Sequence, residues 1–168
     1  MSILDTILAR ALMGLVLFEW FADGGQWSYH QAKSQYQKSA KVPLGYTRAQ
    51  MDRGFNTTGL FKYSRHPNFA AEQAIWLVLY QWGCLGSGTL WNWTVGGAIS
   101  YLLVFAGSTP ITETISAGKY PEYRIYQERV GRFVPKLFGK GWDEEEMKTL
   151  GPKVAEEKKR KEGGGRKQ

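Results

Sequence analysis

The run Gln73 to Thr112, QAIWLVLYQWGCLGSGTLWNWTVGGAISYLLVFAGSTPIT, contains no Asp, Glu, Lys, Arg or His. A helix needs about 20 mostly apolar residues to cross the hydrocarbon core of a bilayer, and this run is long enough for two such crossings. Gly86-Ser87-Gly88 breaks it in the middle, so the pattern predicts a hairpin of helices over about 68–85 and 95–111. Pro67 suits a first helical position, because its missing N–H would be unsatisfied there anyway. Trp76, Tyr80 and Trp82 on the first arm, and Trp91 and Trp93 after the turn, fit the polar–apolar interface, while Gly96, Gly97, Ala98 and Ser100 allow close helix contact.

Before the hairpin, apolar residues from Ile3 to Ala22 predict a further helix of spanning length, although it carries Asp5, Arg10 and Glu19. Charges on such a segment face a protein interior, or else the segment lies in the membrane interface. The stretch 23–66 is polar and punctuated by Gly24, Pro43, Gly45 and Gly54, which predicts a folded loop with a short helix near 28–39. Of the 22 Lys and Arg, seven fall between Asp23 and Glu72 and fourteen after Thr112. A hairpin returns the chain to its starting side, so these basic residues share one face, which the positive-inside bias makes cytosolic. After an amphipathic segment over 113–138, residues 139–168 read as a polar tail, disordered from about 151, because Lys- and Glu-rich sequence cannot bury a core.

The mean hydropathy of −0.38 averages the charge-free run with this charged tail and conceals both. The net charge of +7 suits an anionic lipid surface or a phosphate-bearing cofactor. No nucleic-acid motif accompanies it, so no nucleic-acid partner is expected. Cys84 is the only cysteine, which excludes an internal disulfide, and with only His30 and His66 beside it no metal-ligand spacing arises. GxGxxG and GxxxxGK[ST] are both absent, which excludes a soluble Rossmann or P-loop enzyme. The first residues lack the basic start and cleavage site of a secretory signal, so the first apolar segment is expected to be retained.

Three clusters stand where apolar segments meet the basic face. The first is Glu19-Trp20-Phe21-Ala22-Asp23-Gly24-Gly25-Gln26, with Glu19 and Asp23 on one helix face. The second runs from Gly59 through Tyr63, Ser64, Arg65, His66, Pro67 and Asn68 to Glu72. The third begins at Thr112-Glu113 and continues through Tyr120-Pro121-Glu122-Tyr123-Arg124 to Arg132-Phe133-Val134-Pro135. Taken singly, each has an ordinary reading: basic anchors, interfacial tyrosines and helix caps. Together, acids at the ends of membrane helices beside Arg, His, Asn and Tyr form a pocket that can hold phosphate or carboxylate groups and accept from ribose or adenine. That points to a nucleotide-containing cofactor at the membrane surface.

Gly59-Leu60-Phe61-Lys62-Tyr63-Ser64-Arg65-His66-Pro67-Asn68-Phe69 resembles the G-L-W-R-Y-S-R-H-P-N-Y signature of the DUF1295 group of steroid 5-alpha-reductase-like membrane proteins. Glu19, Asp23 and Gln26 look like that group's upstream acid, Asp and Gln, and Glu113 with the Tyr120 to Pro135 stretch looks like its closing motif. The sequence departs from the group at Phe69-Ala70-Ala71, where Tyr-Phe-Gly is common, and at Gly24-Gly25. The resemblance implies NADPH held at the cytosolic helix ends by Asp23, Asn68, Glu72 and Arg124, with Glu19, Gln26, Tyr63, Arg65, His66, Glu113 and Tyr123 as further cofactor-binding candidates. It implies hydride transfer to a lipid or sterol-like enone. The same motifs also resemble the isoprenylcysteine and phospholipid methyltransferases, for which the cofactor would be S-adenosylmethionine. Reductases of this superfamily carry further N-terminal helices that face substrate, so a short form is expected either to bind cofactor without turnover or to complete its site by association with another subunit.

The expected fold is thus all-α and membrane-integral, with about three spans, a cytosolic loop and a basic tail. For a eukaryotic source the expected location is the endoplasmic reticulum. A non-catalytic membrane scaffold is the alternative outside the enzymes. No residue is assigned to catalysis.

Overall fold

The computed structural model describes residues 2–136, 139 and 141–150, and among these the regular structure is helical, with no strand beyond an isolated bridge from Ser64 to Gly131. Helix α1 spans Ile3–Ser39, α2 Arg48–Arg53, α3 Pro67–Gly86, α4 Val95–Lys119 and α5 Tyr123–Arg129; a 3-10 turn occupies Gly59–Lys62 and residues 144–150 are helical again. The disorder expected from about 151 lies outside the described residues.

α1 opens with a reciprocal cap in which Asp5 N donates to Ser2 Oγ (3.1 Å) and Ser2 N donates to Asp5 Oδ2 (2.7 Å). It was expected to stop near residue 22, with a loop over 23–66, but it runs unbroken through Gly24-Gly25 to a left-handed cap at Ala40. Each glycine in a helix interior costs about 1 kcal/mol relative to alanine. Packing offsets that cost here, because Ala22, Tyr29 and Ala32 are buried on one side of the continuing helix and Tyr29 Oη donates to Gln50 O at 2.9 Å. The helix that pattern alone placed over 28–39 is the second half of α1.

Pro67 occupies the first turn of α3, and Ser87 caps its end. α3 packs along α1 on one side and against α4 on the other. Trp82 Nε1 donates to Asp5 Oδ1 at 3.0 Å, tying the start of α1 to the end of α3 and fixing the pair as antiparallel. α4 extends beyond the expected 111 to Lys119, so that the first residues of the expected 113–138 segment belong to it. The reason lies at Glu113, whose carboxylate is gripped by neighbouring elements and keeps that turn helical. Of the described helices α4 alone is long and apolar enough to cross a membrane. Its 25 residues reach about 37 Å at the helical rise.

At one end of the long helices a compact head forms around Phe55, Tyr123, Tyr126, Val130, Trp142 and Met147. Two members of this core come from the segment expected to be a polar tail from 139. Trp142 and Met147 are 1% and 3% exposed, because flanking acids pair with Arg53 and Arg129 and leave the apolar side chains facing inward. The chain reaches the head through Gly54, which ends α2 with φ +84°. A Cβ there would lie 2.4 Å from Tyr120 Cε1. Gly54→Ala is therefore expected to destabilise the protein by about 2 kcal/mol, combining left-handed strain with a displaced ring, as read by denaturant unfolding in detergent.

Candidate functional site

A cavity of about 300 Å³ opens between the second half of α1, the 54–69 stretch, the end of α4 and the start of α5. Its walls alternate aromatic planes, among them Phe55, Phe69, Tyr120 and Tyr123, with the polar groups of Gln26, His30, Lys33, Asn56 and Asn68. Arg65 and His66 reach it from behind, and among the described residues no Asp or Glu lines it.

Glu113 is the anchor behind this wall. It accepts from Arg65 Nε (2.6 Å) and Nη2 (3.1 Å), lies 3.0 Å from His66 Nε2 and accepts from Gln127 Nε2 at 3.0 Å. Arg65 also donates through Nη1 to the carbonyls of Gln127 (2.9 Å) and Val130. Backbone bonds reinforce the join, with Arg65 N to Gly131 O and His66 N to Arg132 O both at 2.9 Å. Gly131 is required for the tight turn that follows it, since a Cβ would overlap Val134 O. Burial pulls the His66 imidazole below the ordinary histidine range, against the opposing pull of Glu113, which favours a neutral ring stacked 5.2 Å from Phe69.

The opposite wall is built on α1. Lys33 Nζ donates to Gly54 O (2.6 Å) and to Tyr120 Oη (2.7 Å), so a single ammonium joins α1, the end of α2 and the end of α4. Burial would raise the Tyr120 phenol, but the ammonium groups of Lys33 and Lys119 outweigh it and hold the phenol below the ordinary tyrosine range. Asn56 Nδ2 donates to Gln26 Oε1 at 3.3 Å, and Gln26 in turn meets His30 at 3.2 Å. Among the described residues Lys33 bonds only neutral oxygens, whereas Arg65 is matched by Glu113, so the positive charge of the lining without a carboxylate beside it there rests on Lys33.

The candidates read from sequence are distributed unevenly around this geometry. Gln26, Arg65, His66, Asn68 and Tyr123 line the cavity, and Glu113 stands directly behind it. Asp23 reaches it through Asn68, whose Nδ2 donates to Asp23 Oδ1 at 2.9 Å. Glu19 and Glu72 face each other farther along α1 and α3, outside the cavity lining. There Glu72 Oε1 accepts from Tyr101 Oη (2.8 Å) and Trp76 Nε1 (3.0 Å). Tyr63 and Arg124 are both exposed and neither lines the cavity. Lys33, Asn56 and Tyr120 were not among the candidates. Tyr120 lay within a motif already noted, but no spacing in the chain connects Lys33 to residues 54 and 120. Among the described residues no cluster of His, Cys, Asp and Glu could hold a metal ion.

No solved structure matches the chain. It is 46% identical, over 141 residues and 83% of its length, to uncharacterized protein C594.04c of Schizosaccharomyces pombe, and it spans 41% of that relative's length. The family model described as a protein of unknown function, DUF1295, matches residues 1–130, which include α1, α3, α4 and the residues that line the cavity. The chain belongs to the DUF1295 family.

Proposed function

We propose that the cavity is the cofactor end of an NADPH-dependent membrane reductase of the steroid 5-alpha-reductase type, acting on a lipid or sterol-like enone. The observation that carries this reading is the lining itself: aromatic planes and the ammonium of Lys33 without a carboxylate, beside an Asp23–Asn68 pair. Aromatic faces suit a planar ring, cationic and amide donors suit phosphate oxygens, and a carboxylate held by an amide suits ribose hydroxyls. At about 300 Å³ the cavity is at the small end of ligand sites, so it encloses one end of a dinucleotide and leaves the rest outside it.

Bound NADPH would supply the hydride that reduces the double bond. Within the chain, Glu113 holds Arg65 and His66 in one orientation, which preorganises the donors of that wall. Asn68, fixed by Asp23, is positioned to tell a hydroxylated ligand from one that lacks the group.

In this reading the first half of α1 crosses the membrane beside the α3–α4 hairpin. The head lies on the cytosolic side with nearly all the Lys and Arg, in the endoplasmic reticulum of a eukaryotic cell. The exposed apolar surface along these helices, including Ile7, Leu17, Phe21, Leu103 and Ile111, suits lipid contact.

The test is titration of the purified protein in detergent with NADPH and, separately, with S-adenosylmethionine, following tryptophan fluorescence and thermal stability. Saturable stabilisation by NADPH is expected. Asn68→Ala should weaken it about tenfold, the worth of one lost hydrogen bond, while the loss of its exposed bond to Asp23 lowers unfolding stability without ligand by about 1 kcal/mol or less. A response to S-adenosylmethionine alone would replace the reductase by a methyltransferase, and silence to both would leave a scaffold.

A further inference from the structure

Residues 141–150 lie beyond the 1–130 region that the family model matches, and they include the acidic run Asp143-Glu144-Glu145-Glu146. They are nonetheless bound to the head at several independent points. Trp142 N donates to Lys62 O at 2.9 Å, and Gly141, at φ +69°, lets the chain pass where a Cβ would stand 2.9 Å from that same carbonyl. The Trp142 ring packs on Tyr126, with centroids 5.5 Å apart, and under the guanidinium of Arg53 at 4.7 Å. Glu144 accepts both terminal nitrogens of Arg53 (2.8 and 2.7 Å) and the Thr57 hydroxyl (3.1 Å), while Glu146 accepts from Arg129 Nη2 at 2.6 Å.

What this segment grips is the back of the cavity wall. Arg53 and Thr57 flank Gly54, Phe55 and Asn56, which line the cavity on the other side. Residues 54–58 belong to neither helix nor strand, so repeating backbone bonds do not define their position. It is defined by side-chain and tertiary contacts: Lys33 and Gln26 from α1 on the cavity side, the rings of Tyr120, Tyr123 and Tyr126 around Phe55, and on the outer side Glu144 and Trp142, with Glu122 as a further partner of Arg53 (2.9 Å). A bidentate Arg–carboxylate pair is strongly directional, so it sets the orientation as well as the proximity of the strip it holds.

We infer that residues 141–150 are a clasp whose hold on Arg53 and Thr57 positions the Gly54–Asn56 wall, and that ligand affinity at the cavity depends on that hold. From the preceding reading this takes only that the cavity binds a ligand, and its first readout needs none. Glu144 and Arg53 are thereby positioning residues, acting through the wall.

The experiment is amide hydrogen exchange on the full chain in detergent, comparing the native protein with the double variant Glu144→Gln, Glu146→Gln. Glu145→Gln, which loses only the surface bond to Lys148, is the control. Exchange at 54–58 and 142–150 is expected to rise about tenfold or more in the double variant, with α3 and α4 unchanged and the control like the native protein. NADPH, the probe for affinity, should bind the double variant more weakly in the same proportion. Unchanged exchange at 54–58, an equal rise throughout α3 and α4, or undiminished NADPH affinity despite local loosening would each overturn the clasp. A local rise in a protein that binds no NADPH even in its native form supports the positioning role and removes the cofactor reading instead.

Discussion

Replacing Glu113 by alanine lowers the unfolding free energy by about 3 to 5 kcal/mol, the cost typical of leaving one partner of a buried ion pair uncompensated. The side chains of Arg65 and Glu113 are 7% and 3% exposed, so solvent screens neither. Without the carboxylate, Arg65 keeps its carbonyl partners Gln127 and Val130 but has no counter-charge, and His66 and Gln127 each lose a bond as well. These groups come from α4, the 64–66 stretch and α5, so the loss falls on the junction that closes the cavity from behind. Denaturant unfolding in detergent measures it. Arg65→Ala and the double variant complete a cycle in which the pair should show strong coupling, because each single change strands the other charge. A loss below about 1 kcal/mol for Glu113→Ala would mean that the pair is solvated in solution and that the junction is held by its backbone bonds.

Trp142→Ala carries the other large effect, a further loss of about 3 to 5 kcal/mol for truncating a buried aromatic side chain. The ring is 1% exposed and packs against Phe55, Tyr126 and the Arg53 guanidinium, and its indole N–H donates to Glu144 at 3.1 Å. Truncation would open a cavity in the middle of the head and strip one face from Arg53. Trp142→Phe keeps most of the apolar contact and should recover more than half of the loss. The same unfolding measurement separates the two variants. An alanine variant as stable as the native protein would show that the 141–150 segment contributes nothing to the head.

Several of these features could be read from the chain because a local cause produces them. Pro67 marks the start of α3, since its ring is tolerated in the first turn of a helix and not in the interior. Gly86 and Ser87 mark its end, where the charge-free run meets its turn. Asp23 and Asn68 were both singled out as site residues, and one hydrogen bond joins them.

Other features could not be read locally, because a distant partner produces them. Gly24-Gly25 looks like a break on propensity alone. It stays helical because Tyr29 and Ala32 are buried on the far side of it, an energy that no window around residue 24 contains. Trp142 sits among acids and reads as tail, yet those acids pair with Arg53 and Arg129, far earlier in the chain or on another helix. Lys33 reads as a solvated charge and becomes the bond between three elements. Arg124 and Tyr63, credited through a motif, point outward because their neighbours Tyr123 and Ser64 are the ones buried.

By itself, then, the sequence determined the helical class, the charge-free hairpin and the Arg65-His66-Pro67-Asn68 motif, all of which follow from spacing and composition. The length of α1, the placing of Glu113 behind Arg65 and His66, the Lys33 wall and the return of Trp142 to the core were decided only in the tertiary structure. Each depends on burial or pairing between residues tens of positions apart, and such energies exist only once the chain has brought those residues together.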